Sequence, residues 1–233
     1  MVHSMKAPSK PAHALRDRRS PSEENPTVRL QGTPSWALRI ARALRDWHLL
    51  YYRSIWVLRC DRLDDTSARS RTDFKVVEAT EADIPRLAPL QGGSLPEWLA
   101  RMANGHTCLI ARSESGDLGY MWITRGLHYI EEVDHVLDVS HDSKAAYLHD
   151  AYVLPDSRNQ GIFSALVDSA KGWARARGLS TLYTAVAKDN EISRRALRSA
   201  GFTERVGQVS LLRVGKREWK RVLRPSGKVD VLA

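Results

Sequence analysis

The pattern of apolar and polar positions separates the first seventy residues from the rest of the chain. Residues 1–33 are rich in Pro, Ser and charge and show almost no apolar periodicity, so they are predicted to form a disordered basic tail. From Trp36 to Tyr51 apolar side chains recur at helical spacing with arginines between them, which predicts an amphipathic helix with a cationic face. SIWVLRC then alternates like a short strand, and a polar linker follows. We therefore expect residues 34–72 to form a helix, a short strand and a linker, outside a main domain over 73–233.

The main domain shows strand and helix patterns in succession. Thr80 and Asp83 form a capping-box pattern that opens one helix, and Gly201 is expected just beyond the end of the last. Segment 127–144 is acidic and carries histidines, and its pattern assigns no element. Strands are predicted at FKVVEAT, TCLIARS, LGYMWITRG, AAYLHDAYVLP, STLYTAVA, QVSLLRV and EWKRVL, and helices at EADIPRLAPL, PEWLARMANG, from Ile162 onward and at NEISRRALRSAG. This order predicts an α/β (α+β) domain with hairpins early and a β-α-β-α-β run late.

Composition narrows the function classes. An apolar fraction of 42% fits one globular domain, and a net charge of +9 favours anionic partners such as phosphate groups, anionic lipid or nucleic acid. Nucleic acid is the least favoured of these, because no nucleic-acid-binding motif accompanies the charge. Cys60 and Cys108 lie in strand-like contexts and indicate neither a disulfide nor a zinc site. The chain shows no signal-peptide pattern and no long apolar stretch, so a cytoplasmic location is expected.

A glycine-containing turn joins the strand ending near Val153 to the helix that begins near Ile162. Pro155 ends the strand, and residues 158–161 form a turn whose amides cannot all pair within the helix. Free N–H groups at a helix N-terminus bind phosphate or pyrophosphate, and Arg158 adds positive charge. An ordinary strand-to-helix turn is the alternative, and this motif alone does not exclude it.

Two motifs together resemble the GNAT superfamily of N-acetyltransferases. The family's Arg/Gln-x-x-Gly-x-Gly/Ala pattern follows a strand ending in Val-x-Pro, and its Asn-x-x-Ala/Ser motif precedes Gly-Phe. The matching residues here are Val153, Pro155, Arg158 and Gly161 for the first motif, and Asn190, Ser193, Gly201 and Phe202 for the second. The likeness extends over about residues 74–223. It implies the GNAT fold, with a mixed, mostly antiparallel sheet of about six to seven strands flanked by helices.

The resemblance also implies a co-substrate and a reaction. The co-substrate is acetyl-CoA or another acyl-CoA, and the reaction is direct attack of a primary amine on the thioester, with the oxyanion met by a strand N–H. No metal is expected. The strand residues Ala151, Tyr152 and Val153 would contact pantetheine, and Asn190 and Ser193 would line the other side of the thioester. The pyrophosphate cradle would comprise Arg158, Asn159, Gln160, Gly161, Ile162, Phe163 and Ser164.

Two positions depart from the family pattern. Phe163 replaces the second small residue of the first motif, where it either narrows the approach to the pyrophosphate or points into the core. Leu197 stands where a tyrosine often protonates the departing thiolate. Water, or one of Tyr147, Tyr152 and Tyr183, would then supply that proton.

The general base is expected on the strand beside the thioester. His149 is preferred because its unperturbed pKa suits proton transfer near neutral pH, and a histidine recurs at this position in arylalkylamine acetyltransferases. Asp150 is the alternative, since neighbours in a strand face opposite sides unless a bulge rotates the chain. Without a catalytic role, His149 would be a hydrogen-bonded interior histidine and Asp150 an anchor to a nearby loop amide. The next candidates lie between the third and fourth strands of the resemblance: His128, Glu131, Glu132, Asp134 and His135. The pairs His128/His135 and His141/His149 form no recognisable metal-ligand set.

The basic N-terminal helix leaves alternatives open. It either docks on the sheet as additional core or lies on an anionic membrane surface, where a basic stretch over 204–228 would assist it. The membrane interpretation suits a longer-chain acyl-CoA N-acyltransferase acting on an amphiphilic or lipid amine. A non-catalytic CoA-binding protein is the other alternative, because Leu197 removes the usual acid. The acceptor, the acyl length and the oligomeric state are not indicated by the sequence.

Overall fold

The fold is built on an eight-stranded sheet. In the computed structural model, which describes residues 50–64 and 73–224, the strand order is β10-β9-β1-β8-β7-β4-β3-β2. Neighbouring strands are antiparallel except for the parallel pair β7 and β8. The strands are β1 (Leu50–Cys60), β2 (Lys75–Glu78), β3 (Thr107–Ser113), β4 (Gly116–Thr124), β7 (Ala145–Val153), β8 (Thr181–Ala187), β9 (Glu204–Val214) and β10 (Arg217–Leu223). The expected mixed, mostly antiparallel sheet is confirmed.

The helices begin and end at the signals that the sequence carries. They are α1 (Ile84–Leu87), α2 (Leu95–Ala103), α3 (Ile162–Ala176) and α4 (Glu191–Ser199). The carboxylate of Asp83 accepts the backbone N–H of Thr80 at 2.8 Å, which closes the predicted capping box ahead of α1. Gly201 follows α4 with a φ of +92°, the left-handed conformation expected just after a helix end.

Helices and a small second sheet pack against the two faces of the main sheet. On one face α3 packs Leu166, Val167 and Ala170 into a cluster that includes Leu148 of β7. On the other face Trp98 of α2 meets the rings of Tyr120 and Trp122 of β4 edge to face. Farther along that second face, a two-stranded sheet of β5 (Leu127–Ile130) and β6 (His135–Asp138) covers β1 and β9. The site described below lies at the end of β7.

Two sequence expectations change. The strand predicted at SIWVLRC exists, but it belongs to β1, which pairs with β8 on one side and β9 on the other. It is therefore inside the sheet of the 73–233 domain and raises the strand count to eight. Segment 127–144, which had no assignment, contributes β5 and β6. The predicted tail over 1–33 and the predicted helix up to residue 49 lie outside the described residues, while its last positions, Leu50 and Tyr51, begin β1.

Candidate active site

A β-bulge interrupts β7 at Asp150. Pairing with β4 passes from Trp122↔His149 to Tyr120↔Tyr152, so two residues of β7 stand opposite Met121 alone. Asp150 takes a φ of +46°, which accommodates the extra residue. The bulge resets the alternation of side chains: Tyr152 approaches the ring of Tyr120 at 6.0 Å on the face that also carries His149. The bulge that the sequence left as a possibility is therefore present.

Strands β7 and β8 separate just beyond this point. Their parallel pairing ends at Leu148↔Thr184, although β7 continues to Val153 and β8 to Ala187. The hydroxyl of Thr184 donates to the carbonyl of Leu148 at 3.0 Å at the vertex. Backbone groups of Ala151, Tyr152 and Val153 consequently lack β8 as a partner, which leaves a strand edge that an extended diamide can pair with.

The opposite edge of β7 is held by a close approach to β4. Gly119 pairs with Val153, and a Cβ on Gly119 would lie 2.5 Å from the carbonyl oxygen of Tyr152 and 3.1 Å from Cα of Val153. Any side chain at Gly119 would therefore push this end of β7 away from β4. Because Gly119 has no Cβ, β4 can approach residues 151–153 of β7 closely.

The turn after β7 exposes the N-terminus of α3. Gly161 is its N-cap with a φ of +79°, and Asn159 also has a positive φ of +60°. The first helical bond runs from the N–H of Ala165 to the carbonyl of Gly161 at 3.0 Å, so the amides of residues 162–164 precede the intrahelical ladder. Residues 158–161 are exposed. This geometry fits a phosphate or pyrophosphate group.

The side chains around this turn show which way Phe163, one of the two departures from the family pattern, points. Arg158 donates from Nε to the carbonyl of Val153 at 3.3 Å, and Gln160 donates to the carbonyl of Asp156 at 3.1 Å. Ile162 is buried and Phe163 packs against the core cluster under α3. Phe163 therefore points toward the core rather than across the amides. Ser164 is half-buried in the first turn.

The second predicted motif lies at the N-terminus of α4, directly after β8. The side-chain oxygen of Asn190 accepts the N–H of Ser193 at 3.0 Å, so Asn190 caps this helix. Leu197 is buried in the cluster under α3, where it offers no proton. Tyr147 and Tyr183 are both buried in the cluster on the opposite face, and burial raises the pKa of each.

Three histidines from separate segments meet beside the bulge. His149 is only 6% exposed, and its Nε2 lies 3.2 Å from Nδ1 of His106. The ring of His128, from β5, lies 4.0 Å from that of His149, centroid to centroid. Tyr147 and Trp122 stack near His149 at 5.8 and 6.4 Å. Four aromatic rings therefore pack around His149.

This environment favours neutral imidazoles. Burial, followed by the neighbouring His128, His106 and Arg101, holds the pKa of His149 well below its usual value. Burial also lowers the pKa of His128 to about 4 and depresses that of His106. Nδ1 of His149 is buried without a hydrogen-bond partner among the described residues, so its hydrogen-bonding capacity is unsatisfied in this structure.

Asp150 is engaged differently. Its carboxylate pairs with Arg101 of α2 and lies 3.4 Å from the hydroxyl of Tyr120. Arg101 also pairs with Glu97 at 2.8 Å. The carboxylate therefore ties α2 to the bulge, which supports an anchoring role.

The remaining candidates for the general base, in segment 128–135, lie at different places in the fold. His128 joins the cluster, whereas Glu132 accepts the hydroxyl of Tyr51 at its backbone oxygen and Asp134 contacts Lys220 of β10. The sequence missed Arg101, His106, Tyr120 and Trp122, which no local motif distinguishes. Across residues 50–64 and 73–224, no group of three or more His, Cys, Asp or Glu side chains, the histidine cluster included, is arranged to hold a metal ion. No helix in these ranges has the length and apolarity needed to span a membrane.

Known proteins resemble this chain in sequence. The sequence model of the Acetyltransferase (GNAT) family matches residues 76–202, more than half of the chain. An aminoglycoside N(6')-acetyltransferase type 1 from Klebsiella aerogenes is 40% identical over 73 residues, 31% of this chain and 47% of the relative. A protein of the same name from Acinetobacter genomosp. 13 is 41% identical over 66 residues, 28% and 45% of the two chains. The chain thus spans about half the length of the curated relatives it matches.

A solved structure shows the same fold. It is a protein from Novosphingobium aromaticivorans described as a member of the GNAT family, and it superposes with a TM-score of 0.51 at 14% identity. The match covers 71% of this chain and 66% of that one. At this identity the likeness concerns the fold alone.

Proposed function

The chain belongs to the GNAT family of acetyltransferases, and we propose that it transfers the acetyl group of acetyl-CoA to a primary amine. One observation carries the proposal: within residues 148–164 a strand leaves its neighbour, bulges, and leads into a helix N-terminus. A pantetheine arm needs an open strand edge and a pyrophosphate needs free amides, and here they are consecutive.

The succession of strand edge and helix N-terminus indicates how the acetyl-CoA lies in the site. Ala151, Tyr152 and Val153 pair with the amides of the pantetheine arm along the open edge of β7. Amides of residues 159–164, with the charge of Arg158, hold the pyrophosphate at α3. On the far wall, Asn190 and Ser193 of the β8–α4 turn line the thioester.

The acetyl thioester supplies an electrophilic carbonyl, and the protein supplies a proton acceptor. An alkylamine is mostly protonated near neutral pH, so a neutral base beside it assists attack. Burial lowers the pKa of His149, which keeps the ring neutral near pH 7 but makes it a weaker base than the unperturbed pKa assumed from the sequence. Its Nδ1 has no hydrogen-bond partner among the described residues. Asp150 holds the bulge through Arg101. Since Leu197 lies in the core, the departing thiolate takes its proton from water or from Tyr152, which is half-buried at the open edge.

The first acceptor class to test is an aminoglycoside amine, because both curated relatives carry that activity in their names. Arylalkylamines and peptide N-termini complete the panel. Thiol release from acetyl-CoA is measured for each amine and repeated with longer acyl-CoAs. Amine-dependent release with acetyl-CoA supports the proposal. Release that is faster with long-chain acyl-CoA favours the lipid-amine alternative, and CoA binding without release favours a non-catalytic protein.

A further inference from the structure

We propose that His106 and His149 form a two-histidine relay that carries the acceptor's proton from the buried site to solvent. This inference rests on the proposed amine acetylation and extends it by assigning His106, which acts through His149 and need not touch the acceptor. The contact is the hydrogen bond between Nδ1 of His106 and Nε2 of His149 at 3.2 Å.

Burial makes such a route necessary. His149 is 6% exposed and its Nδ1 is buried, so a proton accepted there has no direct path to water. His106 lies between α2 and β3 and is only half-buried, so it is nearer to solvent than His149. Retaining the proton on His149 would place a charge in a site where burial already disfavours it.

The relay uses one of the two tautomeric arrangements that this hydrogen bond allows. In it, His149 carries its proton on Nε2 and donates it to Nδ1 of His106, which leaves Nδ1 of His149 as the acceptor. As the amine nitrogen forms the N–C bond and the C–S bond breaks, the amine's proton moves to Nδ1 of His149. The Nε2 proton then passes to Nδ1 of His106, and the Nε2 proton of His106 leaves to water. The expelled sulfur retains the electron pair of the broken bond.

The surroundings oppose any stable charge on the pair. The charge of Arg101 from α2 disfavours a proton on His149, and the ring of His128 from β5 lies 4.0 Å from the His149 ring, centroid to centroid. Tyr147 stacks beside it from β7 and Trp122 from β4, and the adjacent carboxylate of Asp150 is committed to Arg101. Rapid onward transfer is therefore favoured over storage of the proton.

The matched variants are His106→Asn and His106→Ala. Asparagine places a hydrogen-bonding amide near the position of Nδ1 but cannot relay a proton, and we expect kcat to fall about 10–100-fold with KM for acetyl-CoA within about twofold. Free imidazole should restore much of the rate of His106→Ala. The control is His141→Asn, an exposed histidine paired with Asp138 at 3.0 Å, which should retain wild-type kcat.

Two readouts distinguish a relay from a structural role. A proton inventory in mixed H₂O and D₂O should be curved for the wild type and linear for His106→Asn. Wild-type kcat in His106→Asn, or a slow His106→Ala that imidazole does not rescue, would overturn the relay while leaving acetyl transfer standing. Imidazole ¹⁵N shifts need no turnover: a proton on Nδ1 rather than Nε2 of resting His149 would contradict the relay even if no amine is acetylated.

Discussion

Replacing Gly161 by Asp tests the pyrophosphate cradle by adding a negative charge where the phosphates are proposed to bind. Gly161 is the N-cap of α3 at a φ of +79° and is exposed. Asn and Asp both tolerate left-handed backbone better than other side chains, so Gly161→Asn carries the same size and backbone strain without the charge. Both residues are also good helix N-caps, which favours a folded product.

The expected effect follows from Coulomb's law. A carboxylate about 5 Å from one phosphate charge, at an effective dielectric near 20, raises the binding free energy by about 3 kcal/mol before salt screening. Exposure and counterions reduce this, so Gly161→Asp should bind CoA about 10–100-fold more weakly than Gly161→Asn at low ionic strength. The ratio should shrink as salt is added.

Isothermal titration of CoA into each variant measures the difference. Gly215→Asp is the control, because Gly215 also has a positive φ, +58°, has open space around its missing Cβ and lies in the β9–β10 turn. It should retain the wild-type Kd. Equal CoA affinities for folded Gly161→Asp and Gly161→Asn would refute the cradle at α3.

Four further predictions follow from the same structure. His149→Ala should lower kcat/KM by about 10²–10⁴-fold, and the wild-type acidic limb should lie well below pH 6.5 because burial depresses the pKa of His149; unchanged kcat/KM would move the base elsewhere. Gly119→Ala should weaken CoA binding, since its Cβ would lie 2.5 Å from the oxygen of Tyr152, whereas Gly126→Ala, with nothing near its Cβ, should not; calorimetry compares them. Burial lowers the pKa of His128 to about 4 in the folded protein, so below pH 6.5 the unfolded chain binds more protons than the folded chain. The free energy of unfolding should therefore fall by up to about 3 kcal/mol between pH 6.5 and 4. In urea titrations, the free energy of unfolding of His128→Asn should depend less on pH than that of the wild type. Deleting residues 1–60 removes β1 from between β8 and β9 and should abolish folding by circular dichroism, which a folded product would contradict.

The strands and helices that the sequence predicted are those with a clear period or a strong boundary signal. β3, β4 and β8 combine apolar runs with turn residues, and the capping pattern at Thr80 and the glycine at 201 mark helix ends through local hydrogen bonds. The four-residue strands β5 and β6 are too short for a period to appear. β5 and β6 are placed by their packing over β1 and β9, which are distant in sequence, so no local pattern could predict their position.

The candidate site also has one part that is local in sequence and one part that depends on distant segments. The proposed pyrophosphate cradle at 158–164 is local in sequence, so its motif could be proposed before the fold was known. The histidine cluster is not local: His106, His128 and His149 come from three elements that only the sheet order brings together. The positive φ of Asp150 occurs at the bulge that interrupts the pairing of β7 with β4, and no local sequence pattern predicts it.

Hydrogen exchange of the full chain with and without saturating acetyl-CoA tests the central claim most directly, because it locates the co-substrate without requiring the acceptor. The account predicts slower amide exchange over residues 150–164 and near Asn190, with no change in β10, which is at the far edge of the sheet. Binding that leaves 150–164 unprotected, or that protects β10 instead, would contradict an acetyl-CoA site between β7 and β8.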